Sequence, residues 1–130
     1  MSGDPKELTL AEDAFPKAII VYPKESEVFV DIDTTDNNIL FYNRVDELRN
    51  MGIKCELTTD RGSDSGYPHS HKIVNFPGRK FTPLERIALQ FMLCSDPVRE
   101  RLNIYRSLIG KDPNKITCFK YNDGATLLRD

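Results

Sequence analysis

The fold is decided by one stretch of the sequence, Glu27-Val28-Phe29-Val30-Asp31-Ile32-Asp33. Side chains alternate along it with the two-residue period of a β-strand, so the two valines and Ile32 share one face. Phe29 and the two aspartates, Asp31 and Asp33, share the other face. This is the strongest strand pattern in the chain. It predicts one face packed on a hydrophobic core and one face that carries two carboxylates.

The segments on either side predict an alternation of strands and helices. Upstream, Ala18–Tyr22 reads as a short β-branched strand. Residues 1–16 read as a flexible N-terminal arm with a turn of helix near Leu8–Ala14. Turn and cap residues mark the downstream boundaries. The downstream elements are a helix capped by Thr35 or Asp36 and ended by Gly52, strands at Ile53–Thr58 and His69–Phe76, a helix from Thr82-Pro83, a helix capped by Ser95 or Asp96, and a strand at Ile116–Tyr121.

Strand, helix, hairpin, helix, strand is the order of a ferredoxin-like or RRM-like split β-α-β fold. We therefore predict an α+β class, with residues 17–130 forming a single RRM-like domain. Its antiparallel sheet would carry helices on one face. The extra N-terminal strand would extend the sheet through a hairpin with residues 27–33. The helices would leave the face of Phe29, Asp31 and Asp33 open or only partly covered.

Composition excludes some classes of function. The chain has 130 residues and a formal net charge of −2, so binding to nucleic acid must use a local patch rather than a polybasic surface. Cys55, Cys94 and Cys118 lack the spacing of a zinc site and are predicted to be buried thiols. No apolar run approaches the ~18 residues of a membrane span, and the N-terminus does not resemble a targeting peptide. We therefore predict a cytoplasmic protein without membrane association.

The candidate site combines acidic and basic residues from two strands. Two carboxylates at positions i and i+2 of a strand point the same way and lie roughly 7 Å apart along the chain. They suit a shared Mg²⁺ or Mn²⁺ ion. First and third strands are antiparallel neighbours in this fold, so Asp31 and Asp33 should meet His69 and His71 at one sheet edge.

The loop before His69 adds groups that bind phosphate. Its candidates are the guanidinium of Arg61 and the hydroxyls of Ser63 and Ser65. A simpler interpretation stays open, because many strands end in aspartate and exposed hairpin loops are rich in such residues.

Two segments resemble a known family. Phe29–Asp33 and Ser65–Val74 are similar to the first two motifs of the archaeo-eukaryotic primase superfamily, a hydrophobic-Asp-hydrophobic-Asp strand and a Ser-x-His strand on an RRM-like core. The serine is shifted by one position, since this chain reads His69-Ser70-His71. The resemblance implies that Asp31 and Asp33 are catalytic ligands of Mg²⁺ or Mn²⁺. Residues 85–100 also resemble small phage proteins without an assigned activity.

The resemblance implies metal-dependent nucleotidyl transfer in DNA replication, with nucleotides or single-stranded nucleic acid as partners. The third carboxylate of the family's metal site would be Asp96 or Asp123. The resemblance implies that His71 contacts a phosphate of the incoming nucleotide directly. Arg61 and Lys72 would hold the triphosphate together with His71.

Two alternatives remain open at this stage. His69-Ser70-His71 is similar to the His-hydrophobe-His strand of rolling-circle replication initiators, which nick DNA with a helical tyrosine. Tyr105 is the available tyrosine, although its apolar register predicts a core or half-buried side chain. The other alternative is a non-catalytic RRM-like module that stacks bases on Phe29 or dimerises through Phe29 and Ile73 on the open sheet face.

Overall fold

The computed structural model describes residues 8–10, 19–61, 70–113 and 119–121 of the chain. Strands and helices alternate along these residues in the α+β manner that the sequence predicts. The elements are β1 (Leu8–Leu10), β2 (Ile19–Val21), β3 (Glu27–Ile32), α1 (Thr35–Asn50), β4 (Glu56–Arg61), β5 (Ser70–Asn75), α2 (Pro83–Met92), α3 (Pro97–Leu108) and β6 (Phe119–Tyr121).

The central sheet contains three antiparallel strands in the order β3-β5-β4. β3 and β5 pair from Glu27 opposite Asn75 to Ile32 opposite Ser70. β4 pairs with the other edge of β5 and has a register shift between Leu57 and Thr59. The prediction that the first and third strands of the strand-helix-hairpin unit are antiparallel neighbours is therefore confirmed.

One face of this sheet holds the main hydrophobic core, as the alternation in β3 predicts. Val28, Val30 and Ile32 are fully buried on it, and helix α1 covers them. The packing partners from α1 are Phe41, Val45 and Leu48. Burying a large aliphatic or aromatic side chain contributes about 1.5–3 kcal/mol. This face therefore anchors β3, and with it the residues on its opposite side.

The other face of the sheet is covered by a second sheet of order β1-β2-β6. Val21 and Phe119 of the second sheet form a buried cluster with Phe29 and Ile73. The predicted hairpin of the N-terminal strand with residues 27–33 is wrong, because β2 pairs with β1 and β6 instead. Residues 8–10 are a strand, not the predicted turn of helix.

The outer edge of β3 is occupied by helix residues rather than by a fourth strand. In a ferredoxin-like sheet the last strand would pair here, and that arrangement is not confirmed. Side chains of α2, α3 and the turn between them, together with the backbone N–H of Asp96, meet the outward backbone groups of β3. The bonds are Arg86 Nε to Glu27 O (2.9 Å), Phe29 N to Gln90 Oε1 (2.9 Å), Arg99 Nη1 to Phe29 O (3.2 Å), Asp31 N to Ser95 Oγ (3.0 Å) and Asp96 N to Asp31 O (2.8 Å).

These bonds explain why the edge accepts no strand. Every second residue of an edge strand points its N–H and C=O outward, and buried backbone groups must be hydrogen-bonded. Here side chains satisfy four of those groups at residues 27, 29 and 31, the backbone N–H of Asp96 satisfies the Asp31 carbonyl, and the Glu27 amide donates to Lys24 O. Burial lowers the pKa of Arg86, against the opposing effect of the Glu27 carboxylate. The guanidinium is thus desolvated where it reaches the strand.

Helix boundaries follow from capping chemistry. Thr82 and Glu85 form a reciprocal capping box at the start of α2, with Pro83 in the first turn, as predicted. Asp96 caps α3, one of the two predicted residues. The cap of α1 is Thr34 rather than Thr35 or Asp36. Gly52 follows α1 with φ of 86°, the left-handed conformation that glycine tolerates best.

Other predictions concern cysteines and membranes. Cys55 is buried and Cys94 is half-buried, both as free thiols, whereas Cys118 lies outside the described residues. Within the part of the chain that the structure describes, no helix is both long enough and apolar enough to cross a bilayer.

Candidate metal and phosphate site

Asp31 and His71 face each other across β3 and β5. They are register partners, and His71 Nε2 lies 3.6 Å from Asp31 Oδ1. The side chain of His71 is 33% exposed and that of Asp31 is 25% exposed, so both reach solvent. The separation of these two atoms slightly exceeds a hydrogen bond. The predicted meeting of a carboxylate and an imidazole from different strands is confirmed.

A third carboxylate joins Asp31 and Asp33. Asp33 was predicted within the strand but follows its last residue, Ile32. Asp31, Asp33 and Asp96 each offer an oxygen, and these oxygens all lie within 4.8 Å of one another. Asp96 reaches this position because it caps α3, where its Oδ1 accepts from Val98 N at 3.1 Å. Its own N–H donates to Asp31 O. Of the two residues left open by the sequence, Asp96 therefore joins the cluster, and Asp123 lies outside the described residues.

The chemistry of this donor set fits Mg²⁺ or Mn²⁺. Both ions prefer carboxylate oxygens, and Mg²⁺ binds at about 2.0–2.1 Å in an octahedron. Oxygens on one such ion lie up to about 4 Å apart, so three oxygens within 4.8 Å need only small side-chain rotations. All three aspartates are half-buried, which leaves a side open to water and substrate. The residues present therefore fit the ion that the resemblance implies.

His71 is held by an aromatic ring from the second sheet. Its imidazole stacks on Phe119 with centroids 4.1 Å apart and planes 6° apart, and the same ring stacks on Phe29 at 4.6 Å. The Arg99 guanidinium lies 5.0 Å from the Phe119 centroid. Stacking fixes the plane of the imidazole and directs Nε2 toward Asp31. The sequence analysis missed Phe119, because only the pairing of β6 with β2 brings it here.

Lys72 does not join the site. Side chains alternate along β5, so Lys72 points to the face opposite His71. There it is fully buried, with Nζ 2.6 Å from Asp60 Oδ1 and 3.1 Å from the Tyr42 hydroxyl. The predicted contact of Lys72 with phosphate is therefore wrong in this structure. Strand alternation alone would have separated Lys72 from His71.

The remaining predicted phosphate ligands are described only in part. Arg61 ends β4, three residues beyond the predicted end of that strand, and its register partner is His71. Asp31, His71 and Arg61 thus occupy one row across the three strands. Ser63, Ser65 and His69 lie outside the described residues.

Three residues of the alternative interpretations differ from expectation. Phe29 is fully buried beneath Phe119, and Ile73 is buried beside it. Neither is available to stack on a base or to form the predicted dimer contact, so the open-face prediction is wrong at these positions. Tyr105 is 57% exposed on α3 and is not the predicted core or half-buried residue.

The chain was also compared with known proteins. Neither protein-family models, nor curated proteins, nor solved structures give a match to it.

Proposed function

We propose that this chain is a minimal primase-like nucleotidyltransferase core that binds a divalent cation through Asp31, Asp33 and Asp96. Its substrate would be a nucleoside triphosphate, with single-stranded nucleic acid as template or acceptor. The strand-helix-hairpin unit that carries Asp31 and His71 has the connectivity and antiparallel pairing expected of a ferredoxin-like or RRM-like core.

The observation that supports this proposal most strongly is the convergence of the third carboxylate. Asp31 comes from β3 and Asp33 follows the last residue of that strand, whereas Asp96 comes from the cap of a helix 63 residues further along the chain than Asp33. Bringing three carboxylates together costs electrostatic free energy, because like charges at short range repel. A bound cation would offset that cost.

Each protein group has a distinct role in the proposed reaction. The three carboxylates bind and orient the cation, which when bound neutralises negative charge on the phosphates. His71 Nε2 donates a hydrogen bond to a phosphate oxygen beside Asp31. The Phe119 ring keeps the imidazole in the plane that permits this bond. In the transfer, an acceptor hydroxyl oxygen bonds to the α-phosphorus and the bond from that phosphorus to the bridging α,β-oxygen breaks. Pyrophosphate leaves, and the hydroxyl proton passes to solvent.

The row of Asp31, His71 and Arg61 supports a ligand with several negative charges. A guanidinium binds phosphate oxygens in pairs, and an imidazole adds a single directed donor. A triphosphate spans several ångströms, so basic groups on adjacent strands suit it better than a single anion. Arg61 enters the proposal through its register position opposite His71.

Metal binding is the first test. Thermal unfolding is followed while Mn²⁺ is titrated, and a free concentration 100 times the dissociation constant should stabilise the protein by about 2.7 kcal/mol. Asp31→Asn and Asp96→Asn should abolish that stabilisation. Asp46→Asn is the matched control, because Asp46 is an exposed carboxylate on α1 and makes only a 3.9 Å contact with Arg49. No response of the wild type to Mn²⁺ or Mg²⁺ would contradict the proposal.

Activity is the second test. The protein is incubated with Mn²⁺, labelled nucleoside triphosphates and a single-stranded template, with and without a primer, and products are resolved by length. We expect extension that Asp31→Asn removes and Asp46→Asn keeps. Metal binding without extension would reduce the proposal to a metal-binding protein, and cleavage of the template would favour the nicking alternative.

A further inference from the structure

We propose that Glu100 is a positioning residue of the acidic cluster, because its buried carboxylate sets the direction of the hydrogen bonds that hold β3. Glu100 is 0% exposed, on the inner side of α3. It accepts from Gln90 Nε2 at 2.8 Å, from Ser95 Oγ at 2.7 Å and from Asn103 Nδ2 at 3.0 Å. The part of this inference that concerns the metal rests on the proposed function.

The direction of these bonds follows from the donors that each group has. An ionised carboxylate can only accept, and a serine hydroxyl has a single proton. Ser95 gives that proton to Glu100, so it presents a lone pair to Asp31 N. Gln90 turns its NH₂ toward Glu100, so its carbonyl oxygen faces Phe29 N. One carboxylate thereby makes two neighbouring side chains into acceptors for two amides of β3.

This arrangement fixes Asp31 relative to Asp96. The Asp31 amide is held by Ser95, and the Asp31 carbonyl accepts from the amide of Asp96, the next residue along the chain. The backbone of one carboxylate is thus bound to the backbone of another through consecutive residues. The relative position of the two metal ligands depends on the Ser95 hydroxyl, and the orientation of that hydroxyl depends on Glu100.

The substitution Glu100→Gln separates a role in directing hydrogen bonds from a role in filling space. Glu100→Gln keeps the size and shape of the side chain but replaces one acceptor oxygen by an NH₂ donor. If that donor faces Ser95, the serine proton must turn away, toward the Asp31 amide. If it faces Gln90, the Gln90 side chain must turn its oxygen toward residue 100 and its NH₂ toward β3. The Phe29 amide then loses its acceptor. Either orientation of the new amide therefore costs one amide of β3 its hydrogen-bond acceptor, and the buried network cannot rearrange without that loss.

The matched control is Asn103→Ala. It removes one donor to the same carboxylate and leaves the directions of Ser95 and Gln90 unchanged. Amide hydrogen exchange supplies an internal reference, since Val28 and Val30 point their N–H groups toward β5 by strand alternation. Ser95→Ala is the second variant if Glu100→Gln does not fold. It removes the acceptor of Asp31 alone.

The experiment measures amide exchange and the Mn²⁺ dissociation constant of the folded variants. In Glu100→Gln, exchange at Asp31 or Phe29 should rise about tenfold relative to Val28 and Val30, whereas Asn103→Ala should leave that ratio unchanged. The Mn²⁺ dissociation constant should rise at least about tenfold in Glu100→Gln and less than about twofold in Asn103→Ala. In Ser95→Ala, only the Asp31 ratio should rise.

Three negative outcomes can be told apart. If the stability of the wild type does not respond to Mn²⁺, the proposed function is contradicted, and the exchange ratios still decide the role of Glu100. Equal ratios in Glu100→Gln and Asn103→Ala would overturn the positioning role even in a protein that binds Mn²⁺. Equal Mn²⁺ affinity in the two variants, with altered exchange, would overturn the link from Glu100 to the metal ligands.

Discussion

His71 and Lys72 are neighbours on β5, and each faces an aspartate on an adjacent strand. Lys72 Nζ lies 2.6 Å from Asp60 Oδ1, fully buried, and its ammonium also lies 4.7 Å from the centroid of the Tyr42 ring. His71 lies 3.6 Å from Asp31 and is partly exposed. The lysine pair is held by hydrogen bonds inside the protein, whereas the histidine pair is partly exposed to solvent. Two adjacent basic residues on one strand thus serve stability on one face and a candidate site on the other.

The largest effect on stability is expected from Asp60→Ala. This change removes the carboxylate that lies 2.6 Å from the buried Lys72 Nζ, and breaking a buried ion pair by removing one partner costs about 3–5 kcal/mol. Urea unfolding measures the loss. Mn²⁺ binding should be unchanged, because Asp60 and Asp31 contact opposite faces of the sheet. Adding Lys72→Met to Asp60→Ala should restore part of the stability. A loss below about 1 kcal/mol in Asp60→Ala alone would contradict a stabilising ion pair between Lys72 and Asp60.

Phe119→Ala should have the next largest effect. The ring is buried and stacks on both Phe29 and His71, and truncating a buried phenylalanine costs about 3 kcal/mol or more. Urea unfolding again measures the loss. Phe119→Leu serves as the control, since it keeps most of the apolar cover but removes the aromatic stack. Unchanged stability in Phe119→Ala would show that the second sheet does not cover this face in solution.

His71→Ala should separate binding from stability. The half-exposed imidazole contributes less than about 1 kcal/mol to folding, but it supplies a donor to phosphate. The dissociation constant for a nucleoside triphosphate with Mn²⁺, measured by calorimetry, should rise about tenfold. His71→Phe keeps the stack on Phe119 without the ring nitrogens, so it should bind as weakly as His71→Ala. Binding equal to wild type in His71→Phe would assign the role to the ring rather than to Nε2.

The smallest effect is expected at Leu102 on α3. Leu102 is exposed although its neighbour Asn103 is fully buried, so this helix also separates adjacent residues by environment. Leu102→Ser should change the free energy of unfolding by no more than about 0.5 kcal/mol. Asn103→Ala is the comparison and should cost more, because it removes a donor to buried Glu100. A loss above about 1 kcal/mol in Leu102→Ser would indicate that this face is covered in solution.

Sequence patterns predicted the parts of the molecule that local chemistry controls. The alternation of β3 predicted its buried face, and Thr82-Pro83 and Asp96-Pro97 predicted two helix starts. The order of elements predicted that β3 and β5 are antiparallel, which was enough to bring Asp31 to His71. Asp96 remained one of two candidates, because a helix cap has no strand pattern to identify it as a ligand.

Other features depend on contacts between distant residues. The N-terminal strand was expected beside β3 through a hairpin, but Gln90, Ser95 and Arg99 bond to that edge from ordinary helix and turn positions. The burial of Phe29 could not be predicted either, because it follows from the pairing of β6 with β2. Lys72 was predictable in principle, since alternation places it opposite His71.

The occupied edge of β3 also bears on how the chain behaves at high concentration. A bare strand edge is a template on which a second chain can add its own strand, and that addition is a common route to aggregates. Here groups from α2, α3 and the adjoining turns already hold the outward amides and carbonyls at residues 27, 29 and 31. A strand from another molecule would first have to displace charged and amide side chains, so this border of the sheet is closed to such growth.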